Sequence, residues 1–216
     1  YNIVLDPQLD VWSLYHNHYW PAHYLINQEG EVVYTHFGEG NYETTENNIR
    51  TLLGLDKLGG AEQEASPINT NQSPETYLGY TRGEKKFVSG TMKQDQHYAY
   101  TLPKFIPANH WGLEGLWTIG SENITAEEKG SSLHYNFTSK KVFLVLGSRD
   151  GAPIQARILL NGEPLTTNFG KDAPGGLVNI TQHTLYELVN QDSVANGLLT
   201  MVAENPGLEA YAFTFG

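Results

Sequence analysis

Two short runs of alternating apolar residues, LHYNF at residues 133–137 and VFLVL at residues 142–146, decide the fold class of the larger part of the chain. Short runs of this kind are typical of buried β-strands. Similar runs recur at 154–160, 198–203 and 210–215, separated by Gly, Asn and Pro and not by helical patterns. The spacing predicts an antiparallel β-sandwich or jelly roll over residues 76–216.

The first 55 residues have a different pattern, in which strands alternate with helices. The predicted elements are a strand at 2–5, a helix at 9–15, a hairpin formed by 23–27 and 31–36, and a helix from Thr44 or Thr45 to Gly54. We therefore expect an α/β segment here, and an α+β protein overall. Gly59-Gly60 and the Glu, Asn, Gln, Ser and Pro residues around them predict a linker at 56–75.

Composition excludes several partners. Thirteen Lys and Arg against 24 Asp and Glu give a formal charge of −11, the wrong sign for nucleic acid or an anionic membrane surface. No apolar run approaches the roughly 20 residues of a membrane-spanning helix. The chain begins with Tyr1 and not with Met, and we interpret it as a trimmed or processed fragment.

Cysteine is absent, so this chain forms no disulfide, thiolate or Cys-ligated metal site. His16, His18 and His23 are clustered in sequence, but no Cys or close carboxylate completes a four-ligand set, and we expect no metal there. A structural calcium ion or solvated turns would both explain the acidic residues Glu122, Glu127, Glu128, Asp150 and Asp172, so that question stays open. No cofactor is expected.

Several motifs carry a resemblance to a known family. The N-terminal motifs resemble the second half of a thioredoxin-like domain, and the later ones look like the domain appended to it in DipZ-like members. Essentially the whole chain is thus similar to the C-terminal part of a DipZ-like thioredoxin-family thiol-disulfide oxidoreductase. The motifs are YWPAHYLI at 19–26, EGEV at 29–32, HFGEG at 36–40, NHWGLEGLWTIG at 109–120, VFLVLG at 142–147 and AYAFTFG at 210–216.

The resemblance implies a site. Pro21 matches the family's proline, which adopts the cis form and faces the catalytic Cys-X-X-Cys, so Trp20 and Pro21 are expected to form a substrate-binding loop. An ordinary trans proline that opens a strand is the alternative. The family's cysteines would lie upstream of Tyr1. No catalytic residue is therefore expected in this chain, which should be inactive alone.

The resemblance also implies a setting. Protein thiols and disulfides would be the substrates of the intact parent, and any membrane contact would come through upstream segments. The protein would work in the periplasm or cell envelope, where the family is associated with cytochrome c biogenesis.

Three residues are candidates for ligand binding. The family's appended domain resembles carbohydrate-binding modules, which makes Trp111 and Trp117 candidate sugar platforms, although burial of both rings is the favoured interpretation. Both rings share a face only if their strand is continuous, and Gly112 and Gly115 argue against that. Glu39 lies between two glycines, where turn formation alone would explain the pattern.

Two functional hypotheses follow. In the first, the chain is the non-catalytic C-terminal portion of a thioredoxin-like oxidoreductase, with a jelly-roll domain that binds a partner or a glycan. In the second, it is a self-standing carbohydrate- or protein-binding module with no redox role. The first hypothesis predicts that residues 1–55 leave a sheet edge and an apolar face for another element, or for a second copy in a homo-oligomer, to cover.

Overall fold

The computed structural model describes residues 3–6, 8–38, 40–57 and 72–216. The chain divides into two compact units, Tyr1–Asn69 and Thr70–Gly216. Most of the predicted linker, residues 58–71, lies outside the described residues. Across the part of the chain that is described, no helix is long and apolar enough to cross a membrane.

The N-terminal unit contains two helices and a two-stranded antiparallel sheet. The Asn27 side chain organises the hairpin turn, because its Oδ1 accepts the backbone N–H groups of Glu29 at 3.1 Å and Glu31 at 2.8 Å. The predicted hairpin and both predicted helices are present. The elements are α1 (Asp10–Leu14), β1 (Ala22–Ile26), β2 (Val32–Phe37) and α2 (Tyr42–Leu52).

Two sequence predictions for this unit were wrong in detail. Residues 3–5 form no strand, since the only strands in the described part of this unit, β1 and β2, pair with each other. The second helix begins at Tyr42, before the predicted Thr44, because Asn41 adopts a left-handed φ of 54° and its carbonyl accepts the N–H of Thr45 at 3.1 Å. A hairpin with two helices occurs in many α/β proteins, so these elements do not distinguish a thioredoxin-like half.

The C-terminal unit, which we call the β domain, is built almost entirely of antiparallel sheet, as predicted. Every pairing between its named strands is antiparallel. The strands are β3 (Thr76–Tyr77), β4 (His97–Tyr100), β5 (Trp111–Ile119), β6 (Ile124–Ala126), β7 (Ser132–Ser148), β8 (Ile154–Leu160), β9 (Glu163–Pro164), β10 (Leu177–Ile180), β11 (Thr184–Ala203) and β12 (Leu208–Phe215).

A long antiparallel pairing of β7 with β11, which are separated in sequence by β8, β9 and β10, is the longest pairing in the jelly-roll-like β domain. The first part of β7 pairs with β5 and the last part pairs with β12, while β11 runs along its other side. Register shifts between Asn190 and Ala195 insert extra residues into β11, and such bulges bend a strand. The runs at 133–137 and 142–146 are therefore two parts of one strand.

The β domain closes around a single core. Tyr135 on β7 packs against Phe213 and Phe215 on β12, with ring centroids 4.8 Å and 5.4 Å apart. The predicted Asn161-Gly162 turn joins β8 to β9, with φ values of 55° and 83° that these two residue types tolerate. The largest fully buried side chains are Trp111, Trp117, Tyr135, Phe137, Phe213 and Phe215.

Candidate functional site

The N-terminal unit contains a hollow of about 750 Å³. Its walls come from residues 4–6, from α1, from the loop that precedes β1 and from β1 itself. Binding sites for organic ligands and peptides are commonly concave and apolar in this way. The principal lining side chains are Leu5, Trp12, Tyr15, Trp20, Pro21 and Tyr24.

The Trp20–Pro21 loop forms part of this wall. The Trp20–Pro21 peptide bond is cis, as predicted. The Pro21 carbonyl accepts the N–H of Gly38 at 2.9 Å, which ties the loop to the end of β2. Trp20 is 57% exposed, and its ring stacks on Trp12 with centroids 5.7 Å apart and an interplanar angle of 27°. Both stacked indoles line the hollow.

Tyrosines and a phenylalanine complete an aromatic cluster beside the loop. Tyr15 and Tyr24 lie with ring centroids 4.8 Å apart, and Phe37 contacts both Tyr19 and Tyr24. Burial raises the pKa of Tyr19, and burial together with the nearby Tyr15 raises the pKa of Tyr24. Both phenols therefore stay uncharged at neutral pH and offer O–H groups as neutral hydrogen-bond partners.

Asp6 places a carboxylate in the wall of the hollow, but its oxygens already have partners. They accept the backbone N–H groups of Asp10 at 2.8 Å, Val11 at 3.2 Å and Trp12 at 3.0 Å. These hydrogen bonds, that of Trp12 foremost, lower the pKa of Asp6. Asp6 thus caps the first turn of α1 and thereby positions Trp12, which makes it a structural group and not an acid or base.

The proposal that Trp111 and Trp117 are sugar platforms requires correction. Both side chains are 0% exposed, which confirms the favoured prediction of burial and excludes stacking of either ring on a sugar. The Trp111 indole N–H donates to the Gly83 carbonyl at 3.3 Å and that of Trp117 to the Glu114 carbonyl at 2.9 Å. Their strand is continuous, contrary to expectation, and it contains Gly115 at a φ of 88°, which glycine adopts without strain.

Two other sequence-based proposals have definite outcomes. Glu39 lies outside the described residues. Among residues 3–6, 8–38, 40–57 and 72–216, no three His, Asp or Glu side chains come together as a set of metal ligands. The sequence prediction did not include Trp12, Tyr15 and Tyr24, although the density of aromatic residues between 12 and 24 was a signal for them.

A half-buried charged cluster lies at the start of the β domain. Lys86 Nζ donates to Thr76 Oγ1 at 3.1 Å, and the Arg82 guanidinium lies 3.4 Å from the centre of the Tyr77 ring. Burial raises the pKa of Glu75 to about 7 and that of Tyr77 to about 12. Lys86 and Arg82 thus contact the two residues of β3, which pairs with β12, and we assign the cluster a structural role.

Comparisons with known proteins bear on both units. A family model described as "Thioredoxin like C-terminal domain" matches residues 73–216. Over its whole length the chain is 29% identical to Protein DipZ of Mycobacterium bovis and to Protein DipZ of Mycobacterium tuberculosis. The chain covers 30% of the length of each of these relatives.

Solved structures give only distant likenesses. A family two carbohydrate esterase from Cellvibrio japonicus is 10% identical, with a TM-score of 0.33, and covers 42% of this chain and 25% of its own. One from Clostridium thermocellum, in complex with cellohexaose, is 15% identical, with a TM-score of 0.36, and covers 44% and 27%. Similarity at this level carries no functional argument.

The family assignment rests on the β domain and on the curated relatives together. The family model spans the described β domain from Ser73 to Gly216, and the relatives match the N-terminal unit as well. The chain therefore belongs to the family described as "Thioredoxin like C-terminal domain", and over its whole length it is similar to Protein DipZ.

Proposed function

We propose that the chain is the cysteine-free, substrate-facing portion of an extracytoplasmic thioredoxin-like thiol-disulfide oxidoreductase. Residues 1–55 would form the C-terminal half of a thioredoxin-like domain, residues 56–75 a linker, and residues 76–216 a domain that binds a partner or a glycan. The identity to Protein DipZ along the entire chain supports this proposal.

The observation that carries the proposal is the position of the Trp20–Pro21 loop at the aromatic hollow. Large aromatic side chains are usually well buried, yet Trp20 keeps 57% of its surface exposed while Trp12 holds its ring in place. An exposed, immobilised indole beside an apolar hollow is the kind of anchor that dominates recognition of a polypeptide. We assign this surface to the protein substrate.

The chemistry divides between this chain and the rest of the intact protein. Thiol-disulfide exchange requires a thiolate that attacks a disulfide sulfur and forms a mixed disulfide. No sulfur atom of cysteine is present in this chain, so the exchanging sulfurs belong to a Cys-X-X-Cys elsewhere in the intact protein and to the substrate. The residues of the hollow bind and orient the substrate and shield the exchanging sulfurs from water.

The apolar surface of the N-terminal unit supports the assignment of an incomplete domain. Tyr34 is its only buried hydrophobic residue among those described, whereas Leu5, Val11 and Leu14 are 86%, 46% and 78% exposed. A two-stranded sheet with such a surface is marginally stable alone. We propose that the remainder of the thioredoxin-like domain covers this surface in the intact protein, and that a second copy covers it in the isolated chain.

A self-standing carbohydrate- or protein-binding module with no redox role is the second candidate. One observation favours this candidate: the family model matches the β domain and does not match the N-terminal unit. The two candidates differ in whether the Trp20–Pro21 loop binds the protein substrate of a disulfide-exchange reaction.

Kinetics of the intact protein distinguish the two candidates. With a disulfide-containing peptide as substrate, Trp20→Ala should raise KM about tenfold and leave kcat nearly unchanged, since the indole contributes to binding and not to the exchange step. Tyr98→Ala, a change at an aromatic residue in the β domain that is 44% exposed, is the matched control and should change neither constant. Equal KM values for the wild type and Trp20→Ala would refute the assignment of the loop.

A further inference from the structure

A row of directly paired residues crosses five strands of the β domain. The Cα partners are His97 with Thr118, Thr118 with Thr125, Thr125 with Glu209, and Glu209 with Gly147. Residues directly opposite each other in antiparallel strands share a face of the sheet. Four steps between strands span about 19 Å at roughly 4.8 Å each. We call these five residues, with Glu127, Arg149, His183 and Tyr211 beside them, the polar row.

The polar row lies on the face of the sheet opposite the core. Side chains alternate between the two faces along a strand. The residues that flank the row along the strands, Trp117 and Ile119 on β5 and Leu208 and Ala210 on β12, are all fully buried in the core. The row therefore lies on the face directed away from the core, where Thr125 and Gly147 are covered by neighbouring side chains and the other members carry polar groups.

Glu127 is the first fixed group of the row. Its carboxylate accepts a hydrogen bond from Thr118 Oγ1 at 2.6 Å, pairs with the Arg149 guanidinium and lies 3.5 Å from His97 Nδ1. Although the Glu127 side chain is only 8% exposed and burial opposes its ionisation, the hydrogen bonds from Arg149 and Thr118 outweigh burial and lower its pKa. The carboxylate is thus ionised at neutral pH and held in one orientation.

Glu209 is the second fixed group. Its Oε2 lies 2.8 Å from His183 Nε2 and accepts the Tyr211 hydroxyl at 3.0 Å, while Asn123 donates to Oε1 at 3.3 Å. The His183 ring lies against Gly147, where an added Cβ would overlap it. The glycine thus makes room for an imidazole to lie on the sheet, edge to face with Tyr211 at 5.9 Å.

Besides the Glu127 and Glu209 carboxylates, the polar row contains side chains that can donate hydrogen bonds. The Arg149, His183 and His97 side chains are 45%, 49% and 68% exposed, so a large part of each is accessible to a ligand. A sugar hydroxyl is both a donor and an acceptor and complements such a combination. Two carboxylates disfavour a phosphate-bearing ligand. A protein partner would need apolar anchors, but the large exposed hydrophobics of the described β domain are Tyr98, Phe105, Phe169 and Val194, none of which belongs to the row.

We propose that the polar row is a saccharide-binding surface, on which Arg149, Glu209 and His183 bond to the hydroxyl groups of an extended oligosaccharide. This inference rests on the proposed glycan-binding role of the β domain. It replaces the buried Trp111 and Trp117 with a polar surface on the opposite side of the sheet.

The test uses the complete 216-residue chain. It is first applied to an array of immobilised oligosaccharides of glucose, mannose, galactose and N-acetylglucosamine, and the strongest hit is then titrated calorimetrically. Arg149→Gln should weaken binding about 10- to 100-fold, as expected when a charged hydrogen-bond donor is lost. The matched control is Arg157→Gln on β8, because Arg157 is 57% exposed and pairs with Glu204 at 2.8 Å, away from the row. It should bind like the wild type.

Two further measurements keep the outcomes distinct. Glu209→Gln keeps the shape of the side chain and should also weaken binding, and a melting temperature recorded for each variant identifies any that are unfolded. Wild-type affinity in folded Arg149→Gln and Glu209→Gln would overturn the polar row while leaving glycan binding intact. Absence of binding to every saccharide by the folded wild type would overturn the glycan role and the row with it, without affecting the proposed redox role.

Discussion

The two units of the chain bury their apolar side chains to very different degrees. In the β domain, Trp111 and Trp117 are 0% exposed within one closed core. In the N-terminal unit, Leu5 and Trp20 are 86% and 57% exposed, and the described residues bury only one hydrophobic side chain, Tyr34. The β domain therefore has a closed core of its own, whereas the described N-terminal residues present an apolar surface, which we propose that another element or a second copy covers.

The effect of a substitution on stability should differ most between the two units at tryptophan. Trp117→Ala removes a fully buried indole and should destabilise the β domain by roughly 3–5 kcal/mol, as large-to-small core changes do. Trp20→Ala removes a mostly exposed indole from the other unit and should leave the β-domain transition within about 0.5 kcal/mol of the wild type. Urea denaturation followed by far-ultraviolet circular dichroism measures both. An unchanged midpoint for Trp117→Ala would contradict the closed core.

A buried histidine makes the β domain sensitive to acid. His134 is 8% exposed, with Nε2 lying 2.8 Å from Ser132 Oγ and Nδ1 3.0 Å from Thr200 Oγ1, neither of which carries a charge. Burial lowers the pKa of His134 to about 4, against about 6.5 in an unfolded chain. Between these pH values the His134 ring binds a proton in the unfolded state and not in the folded state. The stability that is present above pH 6.5 is therefore lost as the pH falls towards 4.

Substitution of His134 tests this dependence. Between pH 6.5 and 4, the free energy of unfolding should fall by about 3 kcal/mol through His134. His134→Gln should remove that part of the pH dependence. His18→Gln, a change at an exposed histidine of the N-terminal unit, is the control and should leave the dependence unchanged. Urea denaturation at pH 7.5, 6, 5 and 4 gives the comparison. Parallel curves for His134→Gln and the wild type would show that the ring is not held neutral in the folded state.

The apolar surface of the N-terminal unit should produce weak self-association of the isolated chain. Val11 is 46% exposed in the wall of the hollow, and Val11→Asp should raise the dimer dissociation constant at least about tenfold, because it places a charge in an apolar contact. Val194→Asp, at a 39% exposed valine of the β domain, is the matched control. Sedimentation velocity measures both. A monomeric wild type at every concentration would require revision of the incomplete-domain account.

Local signals in the sequence predicted most of the secondary structure. The run at 154–160 coincides with β8, and Asn161-Gly162 forms the expected turn. The sequence did not show that the runs at 133–137 and 142–146 belong to one strand, because Lys140 and Lys141 interrupt the apolar pattern. In the structure the strand continues through them, and Lys141 pairs with Asn190 on β11. Long-range pairing, and not local propensity, determines the length of β7.

The candidate sites were only partly predictable for the same reason. Trp20 and Pro21 were found through a short motif, since the loop that they form is continuous in sequence. The polar row was not found, because Thr118, Glu209 and Gly147 are brought together only by the pairing of β5, β6, β12 and β7. Conversely, Trp111 and Trp117 attracted attention as aromatic residues, and the sequence carries no measure of their burial beyond the general tendency of tryptophan to be buried.

Disulfide cross-linking in the intact protein tests whether the Trp20–Pro21 loop faces the exchanging cysteines. A cysteine introduced by Trp20→Cys should form a disulfide with the nucleophilic cysteine under mild oxidation. The disulfide reports proximity, since it requires Cα atoms within about 7 Å of each other. Phe105→Cys, at a residue 73% exposed in the β domain, should form no such disulfide. Mass spectrometry of non-reduced digests identifies the linked peptides. We expect a cross-link at Trp20→Cys and none at Phe105→Cys, whereas equal or absent cross-linking at the two positions would show that the loop does not face the cysteines.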